Sequence, residues 1–331
     1  MNALGQQTTC KICMGKGFVR TQVDGYPFIK RCSCQKSRLR HQVLQTSGLP
    51  PKFWNTTLAP SAKDGREPFV PYGGPNKRGI TQADKTIAQN AHKEALSVCR
   101  KLKTLYVNHF INGDHTEDLY GLLLYGKPGR GKTRLICSLL RDLIDEGLHD
   151  VKFVEYNQLF KQIRASFGTN GPNYSDIFGP LLNASVLAID DLGTEVTGST
   201  VFLLDQMGYI INERYNKNLP TLFTCNDWVS IKDSAAVGTA NDMAGNDQNF
   251  EDIKSFEYKK FFQQKKMEEK ARAELERQVD ALQQRVSTRL RSRICEMCLE
   301  LKIEGFDYRG RIGRNRELRM VKEVRDMESG R

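Results

Sequence analysis

The stretch LYGLLLYGKPGRGKTRLICSLLRDL, residues 119–143, decides the fold. It opens on a short apolar run, suited to a strand buried on both faces. Its middle, Gly126 to Thr133, fits G-x-x-x-x-G-K-S/T. It closes with Leu135, Ile136, Leu139, Leu140 and Leu143 at spacings of three and four, the mark of a helix with one apolar face. A strand that feeds a glycine-rich turn directly into a helix aims consecutive main-chain N–H groups and the helix N-terminus at one spot, which makes a cradle for an anion. Gly126, Gly129 and Gly131 let the backbone wrap that anion without Cβ clashes, while Lys127, Pro128 and Arg130 complete the loop. Lys132 would then reach the β- and γ-phosphates of a nucleoside triphosphate, and the Thr133 hydroxyl would ligate Mg²⁺.

A phosphate loop of this kind needs a second acidic element to complete the magnesium site. Fifty-eight residues after Lys132, SVLAIDD supplies an apolar strand ending in two carboxylates, and burying such charges is costly unless they face a cation or water. Asp190 would join the Mg²⁺ shell; Asp191 would orient or deprotonate an attacking water. One strand later, LPTLFTCN ends on Asn226, at the strand edge where ligands bind in open α/β sheets. Together these segments predict an ATP·Mg²⁺ site. LLLY (122–125), VKFVEY (151–156), SVLAID (185–190) and LPTLFTC (219–225) alternate with helical patterns, which predicts a parallel sheet wrapped by helices. The predicted fold class is therefore α/β, a three-layer P-loop core.

Towards the N-terminus the pattern changes. Cys10, Cys13, Cys32 and Cys34 fall as C-x2-C-x18-C-x-C around GFVRTQV and YPFIKR, two strand-like runs joined by the turn-forming pair Asp24-Gly25. Two thiolate pairs at the foot of a hairpin suit one tetrahedral Zn²⁺, with His41 as an alternative fourth ligand. The segment from 46 to 80 is rich in Pro, Gly and charge and reads as a linker or wrapping loop. Thr81 to about Phe110 turns helical, with a stripe of Ile87, Ala91, Ala95, Val98 and Leu102. Residues 233–284 read as an insertion, and a long polar helix is expected from about Phe256 to Glu300 with a thin stripe including Leu275, Val279, Leu282, Val286 and Leu290. The predicted organisation is thus a zinc module over 1–45, the wrapping segment over 46–80, the ATPase core over 81–232, the insertion over 233–284, and an arginine-bearing end with a basic tail over 285–331.

Composition limits the partners. The net charge of +11 favours a polyanion, and no window approaches eighteen apolar residues in a row, so no membrane role is expected. The absence of a basic-then-apolar leader points to the cytoplasm, where nine cysteines argue for metal ligation or buried thiols over disulfides.

Five segments in order, SGLPPKFWNTTL, GLLLYGKPGRGKTRL, SVLAIDDLGTE, INERYNKNLPTLFTCN and STRLRSRICEMCLELKIEGFDYR, resemble the DnaC/DnaI/IstB-like branch of the AAA+ ATPases, over roughly residues 48–232 and 285–311. That branch includes bacterial and phage replicative helicase loaders and ATPase subunits of some transposons. The resemblance implies a homo-oligomeric ring or spiral in the ATP state, in a bacterial cell, with an arginine of one subunit touching the γ-phosphate held by its neighbour. Arg293, in SRICE, fits that role best, with Arg289 one turn away; Arg309, in GFDYR, would sense nucleotide. It also implies a single-stranded DNA contact near NQLFKQIRASFGTN, where Lys161 and Arg164 sit one turn apart beside Phe160 and Phe167, and a replicative helicase as partner. A transposition protein acting on target DNA, or a zinc-bearing adaptor that binds nucleotide only structurally, are the alternatives.

Overall fold

A computed structural model describes residues 10–23, 26–60, 66–72, 74, 80–166, 173–193, 201–226, 228, 286 and 288–309. The expected Asp24-Gly25 turn, Phe167, the 233–284 insertion with Leu275, Val279 and Leu282 of its stripe, and the basic tail beyond Arg309 lie outside the described residues, whereas Val286 and Leu290, the last two of that stripe, are buried.

The central sheet has five parallel strands in the order β6-β7-β8-β5-β9: β5 (Gly121–Tyr125), β6 (Val151–Glu155), β7 (Val186–Leu192), β8 (Thr221–Cys225) and β9 (Cys298–Lys302). Strand side chains alternate between faces, and here both faces are covered. Leu122, Leu124, Val186, Ala188 and Leu222 pack into one core with α2 (Gln82–Phe110) and α3 (Lys132–Glu146). Leu123, Tyr125, Leu187, Ile189 and Phe223 pack into a second core with α4 (Tyr156–Ala165), α5 (Tyr174–Asn183), α6 (Val201–Asn216) and α7 (Thr288–Met297). This double coverage explains why the strands read as unbroken apolar runs. The parallel order also brings the carboxyl ends of β5, β7 and β8 together, and with them the three sequence elements of the phosphate site.

α2 begins where Thr81 predicts. Its hydroxyl accepts from the Asp84 N–H while the Asp84 carboxylate accepts from the Thr81 N–H, a reciprocal cap. Its buried face is rotated from the expected stripe, however. Ala88, His92, Ala95, Leu96, Cys99, Leu102, Leu105 and Tyr106 face the core, and Ile87 is 53% exposed. Leu96, Cys99, Leu105 and Tyr106 define that face, and it includes a polar residue that hydropathy ignores: His92 is wholly buried, with its ring hydrogen-bonded to the Arg130 carbonyl of the glycine loop.

The polar helix expected to run to Glu300 stops at Met297, and Cys298–Lys302 becomes edge strand β9. The reason is tertiary. Without β9, the main-chain groups along the outer side of buried β5 would go unpaired, and the register from Gly121↔Cys298 to Tyr125↔Lys302 satisfies them.

The wrapping segment is an ordered strap. A 3-10 turn at Pro51–Phe53 and a two-residue parallel pair, β3 (Thr56–Thr57) with β4 (Glu67–Pro68), lay Leu49, Leu58 and Phe69 into the first core. Asp142 of α3 fastens it by accepting from the Thr57 hydroxyl, the Leu58 N–H and Arg66. The hairpin of β1 (Phe18–Val23) and β2 (Tyr26–Arg31) leads into α1 (Ser33–Thr46), whose Val43 and Leu44 join the first core and whose Arg40 pairs with Asp145.

Candidate nucleotide site and metal centre

β5 delivers the chain into the loop at Gly126, and α3 starts at Lys132 with Gly131 in the left-handed region at φ 85°. Gly126 and Gly129 also take positive φ, and there a side chain has no room: a Cβ on Gly129 would lie 2.0 Å from the Asp307 carboxylate, and one on Gly126 would lie 2.5 Å from the Ile303 carbonyl. The loop is clamped from outside. Tyr308 N–H donates to the Gly129 carbonyl at 2.8 Å, Arg130 donates to the Ile303 carbonyl at 2.9 Å, and the Tyr308 hydroxyl donates to the Val70 carbonyl of the strap.

Inside the loop, Lys132 is 4% exposed and its ammonium donates to the carbonyls of Gly126 and Lys127 and to Asn226 Oδ1, at 2.6, 3.1 and 2.8 Å. Burial pulls its pKa down, and Asp191 and Asp190 pull it back up. The Thr133 hydroxyl donates to Asp190 Oδ1 at 2.8 Å, and Thr224 donates to the same oxygen at 2.6 Å. Asn226 Nδ2 donates to Asp191 Oδ1 at 3.4 Å. The residues singled out from the phosphate loop and from the two strand ends are therefore joined by hydrogen bonds into one constellation.

β7 does not end at the carboxylates. It runs through them to Leu192, with a register shift against β8 between Ile189 and Leu192. The bulge puts Asp191 at φ 56°, a conformation that costs a non-glycine residue on the order of 1–3 kcal/mol. Thr224 holds it in place by accepting the Asp191 N–H at 2.8 Å. Strand alternation alone would send the two aspartates to opposite faces; the bulge turns both towards the loop.

A cavity of about 710 Å³ opens onto this constellation, the size of a small-molecule site. It is lined by Gly129 to Arg134, Asp190, Asp191 and Asn226, and by residues that sequence reasoning did not single out: Lys52, Phe69, Val70, Glu155 and Tyr308. Glu155 could have been suspected as another strand-terminal carboxylate. The aromatic wall of Phe69 and Tyr308, ring centroids 6.2 Å apart, had no local signal, since its members are 239 residues apart in sequence. Arg309 lines the cavity; Arg289 and Arg293 do not. Arg293 stacks its guanidinium 4.5 Å from the Tyr215 ring centre and pairs with Glu296 at 3.0 Å, while Arg289 is exposed on the same helix. Lys161 and Arg164 are exposed on α4, whereas Phe160 is fully buried in the second core and unavailable for stacking on a base.

The donor set suits Mg²⁺: a hydroxyl and a carboxylate in mutual contact, beside amides shaped for phosphate. Burial raises the Asp190 carboxyl from the ordinary 3.8 to about 6, with Asp191 adding to the rise and the two threonine hydroxyls opposing it. Below pH 3.8 the group is neutral in both folded and unfolded chains. As pH rises to about 6 the unfolded chain ionises first and the folded state loses stability, by on the order of 1–3 kcal/mol above that range. Asp190→Asn is therefore expected to raise the melting temperature of the nucleotide-free chain at pH 7.5 while abolishing the Mg²⁺-dependent part of ATP binding. Scanning fluorimetry at pH 4.5 and 7.5 checks it; a variant less stable than wild type at pH 7.5 contradicts the electrostatic account.

The four N-terminal cysteines converge, with all their sulfurs within 4.8 Å of one another. Cys10 to Cys32 is 3.8 Å and Cys13 to Cys34 is 3.5 Å, near the edge of about 3.8 Å that a tetrahedral zinc with 2.3 Å bonds requires. Main-chain N–H groups of Cys13 and Ile12 lower the Cys10 thiol to about 6, while the hydrogen bond with Cys13 raises Cys34, as crowded thiols sharing protons do in the absence of a cation. His41 is elsewhere, hydrogen-bonded to Gln45 and packed edge-on against Trp54.

No family model matches the chain. It is 20% identical over 200 residues to the uncharacterised protein YqaM of Bacillus subtilis (strain 168), a match over 60% of this chain and 54% of that one, so the chain spans about half the length of the curated relative it matches. Among solved structures it resembles the DnaC helicase loader (20% identity, 77% of this chain and 99% of that one, TM-score 0.43). It also resembles DnaI (18%, 77% and 94%, 0.43) and AMPPCP-bound DnaA from Aquifex aeolicus (16%, 56% and 47%, 0.36). Among the described residues, no helix is long and apolar enough to cross a membrane.

Proposed function

We propose that the chain is an AAA+ ATPase that loads a replicative DNA helicase onto single-stranded DNA, with ATP binding and hydrolysis switching assembly and release. One observation carries the reading: Lys132, Thr133, Asp190, Asp191 and Asn226, from three separate strand ends, share one cavity behind a glycine cradle. The loop amides and Lys132 would hold the phosphates. Thr133 and Asp190 would hold Mg²⁺, whose chemistry there is to neutralise phosphate charge. Asp191, turned by its bulge and held by Asn226, would take a proton from the attacking water. Arg309 lines the cavity and would read the nucleotide in the same chain. Arg293 does not reach its own cavity, so its contribution would come in trans, from a neighbour in a ring or spiral. The DNA contact on α4 would be electrostatic, through Lys161 and Arg164, since Phe160 is occupied by the core.

ATP would favour the assembled state because only its terminal phosphate joins Lys132 on one chain to Arg293 on the next. Arg293→Ala is expected to lower the hydrolysis rate by about 10³–10⁵ with ATP binding retained. Mixing it with a chain deficient in ATP binding should restore part of the activity, because each chain supplies the half the other lacks. The loader role is tested by following ATP-dependent placement of a replicative helicase on circular single-stranded DNA. Wild type should accelerate placement and Arg293→Ala should not release the helicase; no effect of the wild-type chain would overturn the role, and filaments on duplex DNA in its stead would favour a transposition protein.

A further inference from the structure

We infer that the cysteine-stapled hairpin is itself a surface for single-stranded nucleic acid, stacking bases on Tyr26 and Phe28 and neutralising phosphates with the lysines and arginines around them. The hairpin is remote in sequence from the ATP site, and its surface chemistry does not depend on that site. In β2, Tyr26, Phe28 and Lys30 recur at every second residue and so share one face of the hairpin, where Phe28 lies opposite Thr21 and Lys30 opposite Val19. Tyr26 is 76% exposed and Phe28 55%, and Lys30 beside them is exposed too. Their attachment points are about 7 Å apart along the strand, so successive unstacked bases of an extended single strand can reach successive rings.

The charge of the module is strongly positive. Residues 10–41 hold eight Lys and Arg against the single Asp24, a net +7 within a chain of +11. Arg40 is engaged by Asp145, and a zinc tetrathiolate would subtract two, which still leaves the small module strongly positive. Lys11 and Lys16 are exposed too, whereas Arg20, opposite Ile29, lies on the other face of the hairpin. A protein partner would need acidic groups to match this field; a nucleic acid strand supplies both the phosphates and the flat faces that aromatic rings accept. Duplex DNA hides those faces, so the pairing of rings with charge favours a single strand. The opposite face of the hairpin, with Phe18 and Ile29, is left for a protein under the loader reading.

The test uses the full, zinc-loaded chain without nucleotide and a fluorescein-labelled oligo-dT, with anisotropy followed across a salt series. Tyr26→Ala/Phe28→Ala is expected to weaken binding at least tenfold, given that each stacked base contributes a factor of about 5–150, with zinc content and salt slope unchanged. Lys30→Gln should instead flatten the log–log salt slope by about 0.7, one single-strand phosphate contact. Lys161→Ala/Arg164→Ala reports the proposed contact on α4 separately. Wild-type affinity in the ring variant overturns the inference and leaves the loader reading standing. If the ring variant keeps its DNA affinity and also loses a copurifying protein, the rings are a protein-docking face, and the inference is overturned in that case too.

Discussion

Lys132→Ala is expected to weaken ATP binding by about 10²–10⁴ and to remove hydrolysis, with the fold intact. The ammonium is held in place by two loop carbonyls and Asn226. A bound triphosphate offers it charged oxygens in their stead, and two charge-assisted hydrogen bonds at about 1.5–3 kcal/mol each account for that range of affinity. The side chain is buried and burial disfavours its charge, so truncation relieves a desolvation cost that offsets the attraction to Asp191 and Asp190 it gives up. Lys132→Arg should fail too, because a planar guanidinium cannot turn within the ring of acceptors that an ammonium point charge fits. Titration with a fluorescent ATP analogue measures it. Affinity within threefold of wild type for Lys132→Ala would remove the central group from the site, and with it the ATP switch.

Removing zinc should have an effect of comparable size, confined to one end of the molecule. The hairpin has only two strands, and Phe18, Tyr26, Phe28 and Ile29 are at least half exposed, so little apolar surface is buried there to hold it. An isolated two-stranded hairpin is marginal in water, whereas a structural zinc contributes on the order of 10–16 kcal/mol apparent. One zinc per chain is expected. Chelation, or Cys13→Ser, should abolish amide protection across Phe18–Arg31 while β5 to β8 keep theirs. Fraying should stop within α1, where Arg40 pairs with Asp145 and Val43 and Leu44 enter the core. Hydrogen exchange with mass spectrometry resolves the two regions. Unchanged hairpin protection in metal-free protein would show that the cysteines are merely neighbours.

The strand–loop–helix unit was legible because each part is a local pattern: an apolar run, glycines where φ must be positive, then leucines at helical spacing. The cysteine cluster was legible for the same reason, its two cysteine pairs being short-range motifs on either side of a hairpin. Asn226 could be read as a strand-terminal polar residue, but its bond to Lys132 could not, because that depends on β8 lying next to β5. Thr224 passed unnoticed inside an apolar strand, although it holds both aspartates. His92 was hidden in the same way, as a polar residue on a helix face that hydropathy scores as a gap.

From sequence alone came the class of fold, the glycine loop, the paired acids and the four-cysteine set, each built from short local motifs. Tertiary structure alone decided the bulge that turns Asp191 into the cavity, the conversion of Cys298–Lys302 from helix to edge strand, the clamp of Tyr308 on Gly129, and which arginine lines the cavity. The physical reason is the same in each case. Hydrogen-bonding groups left open by one segment are closed by another far away in the chain, and no local propensity encodes which segment will arrive.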